Sequence, residues 1–473
     1  MRITNRSADF YTWGNEDRAA MLGRELPTED LPLRMPQPTP ITPGTRRGMI
    51  SNSPLEPDPG SLHDMVLDRV SRQGFRVSTR FMDLLFSWWG PRPPLNKNLA
   101  SDYRALGSHK GLVIYTDAFY DWRLRLYTIS SSWGSLQNSR LSRAALEAPE
   151  AVTVTRSQWL DVLDIFRHEG WATTRGEAEA FLSTPSTDFM QVRAALAVIE
   201  YCESGKTAYL VEQDASCSGF QHMALLMRDR ELAKQVNATT NSKRHDLYRY
   251  VADICGIGTV LGLSDREARK WAKPVVMLTG YGSGANGIAS RYWFDAGGMG
   301  DFNEHNEFEP EGGSVTIGTR TMTYEELLNV VKPMQDTLFN EFPTLKALRN
   351  RCISYFQECI KADPSKFVWT TPLGVDCVRF ITPGEQEAGG VKEAGAMPNL
   401  IHSLDACVVH LTVLDWRGTL GVVHDAFFTT ADRVGELRRC VQRAYNRVHE
   451  DIGAFPVGNN DREPLPIGMC IGV

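Results

Sequence analysis

The 473-residue sequence contains no C-x-x-C pair, and its nine cysteines are an odd number. The spacing of a zinc ribbon is therefore absent and no disulfide framework is indicated, which points to a reducing compartment. No apolar run approaches the roughly 20 residues that span a bilayer, so no membrane partner is expected. Residues 1–30 mix Asp, Glu and Arg without an apolar segment, against a secretory signal or an organelle transit peptide. A basic excess is missing too, since the net charge is −6. That counts only weakly against nucleic acid, because a local groove neutralises phosphates whatever the total charge. No internal repeat is visible. The remaining composition, 42% hydrophobic and 23% charged, is that of a globular chain with a sizeable core. Its length suits about two to four domains.

Nine prolines between Pro27 and Pro59 mark residues 1–60 as an extended leader. In "SLHDMVLDRVSRQGFRVSTRFMDLLF", Leu62, Met65, Val66 and Val70, then Val77, Phe81, Leu84 and Leu85, predict two amphipathic helical pieces broken near Gly74. A strand follows in "GLVIYTDAFYDWRLRLYTIS". Residues 145–200 read as helical, with Leu160, Val162, Leu163 and Phe166 as an apolar face. The acidic, glycine-rich "GGMGDFNEHNEFEPEGG" reads as an exposed loop, and "KFVWTTPLGVDCVRFITPG" as a hairpin. A further helix is expected to start at Pro398.

Three constellations carry chemistry. The strand-like run Ala208–Gln213 delivers Asp214, followed by small residues to Gly219 and a helix from Phe220. Asp425 stands in a similar setting, at the tip of a strand–turn–strand formed by Gly421–Val423 and Ala426–Phe428. The acids are roughly two hundred residues apart, so only the fold could join them. Two such carboxylates can bridge two divalent cations about 3.5–4 Å apart, as phosphoryl transfer requires. The plain alternative is that each acid caps a helix or a turn. In "SDREARKWAKPVVMLTGYGSG", Ser264 and Glu267 form a capping box, and Arg269, Lys273, Met277 and Tyr281 recur every four residues on one helical face. Two cations and an aromatic suit a triphosphate with a base stacked beyond it; the alternative is a solvated basic helix with a buried Met and Tyr. Pro274 predicts a kink, or a helix restarting there.

The segments "DWRLRLY", "DASCSGFQH", "RKWAKPVVMLTGYGS", "MPNLIHSLD" and "HDAFFTTAD" resemble, in order, those of the single-subunit, phage- and mitochondrial-type DNA-directed RNA polymerases. "HDLYRYVA" and "WTTPLGV" are weaker echoes, and the resemblance runs from about Asp121 to Asp432. It implies an α+β, mainly α, right-hand fold with an antiparallel-sheet palm, helical fingers, and a reduced thumb and N-terminal region. The expected divisions are a leader (1–60), a helical N-terminal or thumb remnant (61–110), palm (111–230, with a helical insertion at about 146–199), fingers (231–401) and a second palm part (402–473).

By the same resemblance, Asp214 and Asp425 bind two Mg2+ ions, with the Ala215 carbonyl on one. Gly219 leaves open the space where related DNA polymerases carry a glutamate that excludes a ribose 2′-hydroxyl, and Ala426 likewise replaces a glutamate. Lys273 meets the triphosphate and can protonate pyrophosphate. Arg269 binds the outer phosphates. Tyr281 senses the ribose, with Gly282 allowing close approach, and His402 serves the 2′-hydroxyl or Tyr281. Without the motif, His402 reads as a core histidine capped by Asp405. Arg125 lies near the nucleotide with Tyr127 beside it, Arg123 is as readily structural, His424 supports the hairpin or touches RNA, and Tyr248 touches template.

The implied partners are a DNA template, nascent RNA and NTPs, in the cytoplasm, or in an infected bacterial host if the chain is phage-encoded. The short N-terminal region implies a second polymerase subunit, or a single-stranded-DNA or promoter-melting factor. The family's C-terminal "foot" is not recognisable in "PIGMCIGV". A DNA polymerase or primase is the nearest alternative, disfavoured by Gly219, Tyr281, His402 and Ala426. A silent nucleic-acid-binding scaffold would not need Asp214, Lys273 and Asp425. A two-metal nuclease would not need the Arg269–Tyr281 stripe.

Overall fold

The computed structural model describes residues 60–473, except 130–132, 241–243, 304–307, 382–392, 451, 453–454, 460–464, 469–470 and 472–473. The proline-rich leader lies outside the described residues but for Gly60. Among the described residues the fold is α+β and mainly helical, and every strand pair is antiparallel. The chain forms two compact units. One runs to Asp214 and includes Val409–Val441; the other comprises Ala215–Val408 and Gln442–Ile471.

In the first unit, helices Leu62–Ser71 and Thr79–Trp89 form as the apolar spacing predicts, each with a serine N-cap, Ser61 and Ser78. The break between them is more than an interruption. Phe75–Val77 is a strand, paired with Val113–Ile114 and Leu146–Glu147, so Val77 enters the core from a sheet. The single strand expected over 111–130 is also corrected. Asp117–Tyr120 and Leu126–Ile129 form a hairpin whose last pair is Tyr120 with Leu126. Its turn closes on Asp121, whose carboxylate accepts from the backbone N–H groups of Arg123 and Arg125 at 2.9 and 3.0 Å. A sequence pattern cannot show this, because "DWRLR" has no glycine and Leu124 takes the left-handed conformation (φ 65°).

Helices Arg156–Glu169, Arg175–Leu182 and Phe189–Ser204 fill the predicted insertion, the first two opened by complete capping boxes. Trp159, Val162, Leu163 and Phe166 form the buried face of the first. Leu160 does not belong to it, being 46% exposed; the i, i+3, i+4, i+7 rows run through Trp159 instead.

The sheet that positions the two acids has the strand order Gly421–Val423, Ala426–Thr430, Leu210–Gln213. Its strands are short and nearly wholly buried, which is why they read as apolar runs. Leu210, Val423, Ala426 and Phe428 join the cluster of Phe81, Leu85, Met190 and Leu196 on one side. Tyr209 and Val211 join Val162, Phe166 and Val198 on the other.

The second unit is built on helices. Asp265–Gly280 packs against Leu247–Ile254 and Tyr324–Glu341, and Ala285–Asp295 also packs on Tyr324–Glu341. The Ser264–Glu267 capping box is present. No restart occurs at Pro274, since the helix is continuous from Asp265 to Gly280. Proline removes one helical N–H; one residue along from the carbonyl so affected, Tyr292 donates its hydroxyl to the Trp271 carbonyl. The acidic stretch read as a loop contains the hairpin Gly300–Phe302 with Phe308–Pro310, held by Phe308 against Phe294 and Tyr324. The hairpin Lys366–Thr370 with Asp376–Phe380 is as expected.

One helix, Ala396–Asp415, is long and apolar enough to cross a membrane, which corrects the reading that no such run exists. Its most apolar window is 83% buried within the protein, so core packing accounts for its composition. It begins two residues before Pro398, which falls in the first turn rather than at its start.

Candidate active site

The strand register brings the two acids to neighbouring strand ends. Gln213 pairs with Phe427, so Asp214 follows the last paired residue of one strand, and Asp425 precedes Ala426 at the start of the other. Val423 pairs with Ala426, leaving His424 and Asp425 as a two-residue turn. His424 has φ 56°, the left-handed conformation that such turns require. Asp214 is exposed and Asp425 half-buried. Burial holds the nearby Glu212 carboxyl above the usual carboxylate range; Arg143 opposes this, and the Asp425 charge adds to it. Arg143 donates to Glu212 at 3.1 Å and Arg438 to Gln213 at 2.9 Å, fixing the strand beneath Asp214.

Two more candidates from the sequence meet beside this turn. The Tyr127 ring stacks on Phe119 (centroids 5.6 Å) and meets His424 edge-on at 5.4 Å. Gln137 joins the two hairpins by donating to the carbonyls of Leu126 and Val422, at 3.2 and 3.4 Å. Arg125 is half-buried at the turn closed by Asp121. The Arg123 guanidinium pairs with Asp121 at 2.6 Å and lies 5.3 Å from the Trp122 ring.

In the second unit, Arg269 and Lys273 both lie over the Tyr248 ring, at 5.6 and 5.4 Å from its centroid. Arg269 is also paired with Asp246. Tyr248 itself is buried and donates its hydroxyl to Cys217 Sγ at 2.9 Å. The ring, for which the resemblance implies a template contact, forms a platform for the two cations. Burial pushes its phenol far above the usual range.

The helix bearing those cations ends in a Schellman closure. Gly282 N–H bonds to the Thr279 carbonyl and Ser283 N–H to that of Leu278. Gly282 has φ 88°, so the motif itself demands a glycine, whatever else approaches it. Gln335 braces the closure from outside, donating to the Ser283 carbonyl at 2.7 Å. Tyr281 is thereby aimed at Gly219: a Cβ on Gly219 would lie 2.2 Å from the Tyr281 hydroxyl oxygen. His402 flanks Tyr281, with ring centroids 5.3 Å apart and planes tilted by 58°.

The small residues after Asp214 thus make room for protein side chains. Cys217 takes the Tyr248 hydroxyl, and Ser216 donates to the Val236 carbonyl at 3.1 Å. Ala215 is bridged to Ile471.

Asp405 takes part in a buried chain of its own. Its carboxylate lies 3.1 Å from Nε2 of His222, whose Nδ1 is 2.8 Å from Nε2 of His449. Burial, and then His222, hold His449 well below the usual histidine range. This chain joins three helices in the core of the second unit. Spacing could not pair His222 with residues about two hundred positions away.

The family described as DNA-dependent RNA polymerase matches residues 187–388 and 385–454, more than half of the chain. The chain belongs to this family. The match extends past Asp432, where the motifs fade, and covers the whole helix Val434–Glu450. The chain is 26% identical over 306 residues to the mitochondrial DNA-directed RNA polymerase of Schizosaccharomyces pombe, covering 56% of this chain and 26% of that protein. Against the human mitochondrial DNA-directed RNA polymerase it is 26% identical over 297 residues, covering 54% and 23%. Against DNA-directed RNA polymerase 2A of Nicotiana tabacum it is 25% identical over 285 residues, covering 51% and 79%. The matched stretch spans about a quarter of the first two relatives.

Proposed function

We propose that this chain synthesises RNA on a DNA template by two-metal nucleotidyl transfer, in a right-hand palm-and-fingers architecture. The observation that carries the reading is the register placing Asp214 and Asp425 at adjacent strand ends. Two carboxylates so placed, one exposed and one half-buried, are the hard oxygen donors that Mg2+ takes with several waters retained. Asp214 and Asp425 would hold the ions, with the Ala215 carbonyl as a further donor. When bound, two Mg2+ ions sharpen the attacking 3′-hydroxyl and stabilise the leaving pyrophosphate.

The chain's own residues do the rest. Arg269, oriented by Asp246 and Tyr248, presents a fork of donors to the outer phosphates. Lys273 neutralises the triphosphate and delivers a proton to the departing pyrophosphate, a contribution of about 10²–10⁴-fold. Tyr281 lies against the sugar, with His402 holding its ring or meeting the 2′-hydroxyl. Arg125, Tyr127 and His424 hold the primer end. Gly219 and Ala426, which lack acidic side chains, favour ribonucleotides over the DNA-polymerase alternative.

The test is template-directed extension of an RNA primer on DNA by the purified chain. Mg2+-dependent addition of ribonucleotides complementary to the template is the expected result; no addition, or addition of deoxyribonucleotides alone, sinks the reading. A partner subunit, a strand-separating factor and a cytoplasmic setting belong to the same proposal. They are tested by what co-purifies with the chain and by whether it initiates alone on duplex DNA.

A further inference from the structure

The segments 219–220 and 280–281 interlock reciprocally. A Cβ on Gly219 would lie 2.2 Å from the hydroxyl oxygen of Tyr281 and 2.9 Å from its Cζ. One residue along each chain the roles exchange: a Cβ on Gly280 would lie 2.3, 2.5 and 3.1 Å from Cζ, Cε2 and Cε1 of Phe220. Each segment therefore supplies one glycine and one aromatic, and each glycine receives the other segment's ring.

Neither half of the second contact can easily give. Phe220 is 1% exposed and sits in the first turn of the buried helix Ser218–Met227. Gly280 is the last residue of its helix and precedes the Schellman closure that Gln335 braces. In a close-packed interior, a ring tip against a backbone Cα sets the separation of the two elements to within a few tenths of an ångström. The Tyr281 ring starts one residue later, so that separation fixes how far its hydroxyl reaches over Gly219.

We propose that Phe220, seated in the notch of Gly280, is a positioning residue that sets Tyr281 and through it the preference for ribonucleotides. This rests on the polymerase reading above and adds to it a residue that touches no substrate. The atoms of Phe220 nearest Gly280 are those a leucine lacks. Phe220→Leu therefore opens the space that a methyl group at position 280 would fill.

The experiment measures single-nucleotide extension of an RNA primer on DNA by the full chain, with each ribonucleotide and its deoxy counterpart. The readout is the ratio of kcat/KM values, with melting temperature recorded for each variant. Gly280→Ala forces the ring aside, and the ribonucleotide preference should fall about tenfold, mainly through KM for the ribonucleotide. Adding Phe220→Leu to Gly280→Ala should restore the ratio to within about threefold of wild type. A purely structural role would lower melting temperature and active fraction, but would not move the ratio. Should Gly280→Ala fail to fold, Phe220→Leu alone still tests the proposal, because loosening the notch should lower the ratio about threefold. An unchanged ratio in a folded variant, or a double variant as unselective as Gly280→Ala, overturns it. Wild-type protein that extends with neither nucleotide refutes the polymerase reading and this role with it.

Discussion

The hydroxyl of Tyr281 occupies the position where any side chain on Gly219 would begin, 2.2 Å from a Cβ built there. The space the sequence leaves at Gly219 is thus filled by the residue expected to sense the sugar. On the proposed function, the two act as one device.

Gly219→Ala should test that device at little cost in folding. The overlapping atom is the far end of a rotatable side chain, so Tyr281 can swing away. Stability should change by less than about 1 kcal/mol, while kcat/KM for ribonucleotides falls at least about tenfold. Thermal melting and single-nucleotide kinetics on the same preparation separate the two effects. A fall in melting temperature with unchanged kinetics would contradict the account.

Tyr248 should matter for its ring more than for its hydroxyl. Cation–π contacts to Arg269 and Lys273 are worth about 0.5–2 kcal/mol each. Tyr248→Phe keeps the platform and should leave KM for NTPs within about twofold, whereas Tyr248→Leu should raise it about tenfold. Equal effects of the two would show that the bond to Cys217 carries the role.

Much of this was legible in the sequence. The apolar runs gave the strands bearing Asp214 and Asp425, because strands buried on both faces leave that signature. The four-residue spacing from Arg269 to Tyr281 placed the stripe, and the capping box at Ser264 marked where its helix begins. What escaped were features that depend on meeting in space. The platform role of Tyr248, the Asp405–His222–His449 chain and the seat of Phe220 on Gly280 each join residues from distant parts of the chain. The turn at Leu124 escaped for a different reason: Asp121 holds a left-handed leucine that no turn preference anticipates.

Buried charge in the first unit gives a stability prediction. Arg193 is 1% exposed and pairs with Glu147 at 3.0 Å and Glu200 at 3.1 Å. Arg193→Met leaves Glu147 buried against Arg76 alone and should destabilise the protein by about 3–5 kcal/mol. Adding Glu147→Gln should recover a measurable part in denaturant titrations. No recovery would argue that the loss is one of packing over Tyr209.

Acid should unfold the first unit through a pair of histidines. His63 and His410 are buried ring against ring, with centroids 4.8 Å apart. Burial lowers His63 to about 4, and burial together with His63 lowers His410 well below its usual value. Both have folded-state pKa values below their unfolded values, so the unfolded chain binds more protons below about pH 6.5. Their neutral burial is tolerated above that pH, and stability is lost as pH falls from about 6.5 through 4. Each histidine contributes up to about 1.4 kcal/mol per pH unit in that window. His63→Gln should flatten the fall in melting temperature between pH 6.5 and 4.5. An identical slope in wild type and variant would exclude the pair as the cause.

The central claim is that Asp214 and Asp425, brought together by the pairing of Gln213 with Phe427, hold the ions on which nucleotide transfer depends. It is tested most directly by Asp425→Asn in Mg2+-dependent extension of an RNA primer on a DNA template. The substitution keeps the shape of the turn and removes one of the two negative charges. The account predicts an unchanged melting temperature and an extension rate reduced by at least about 10³-fold. Extension at the wild-type rate would contradict it.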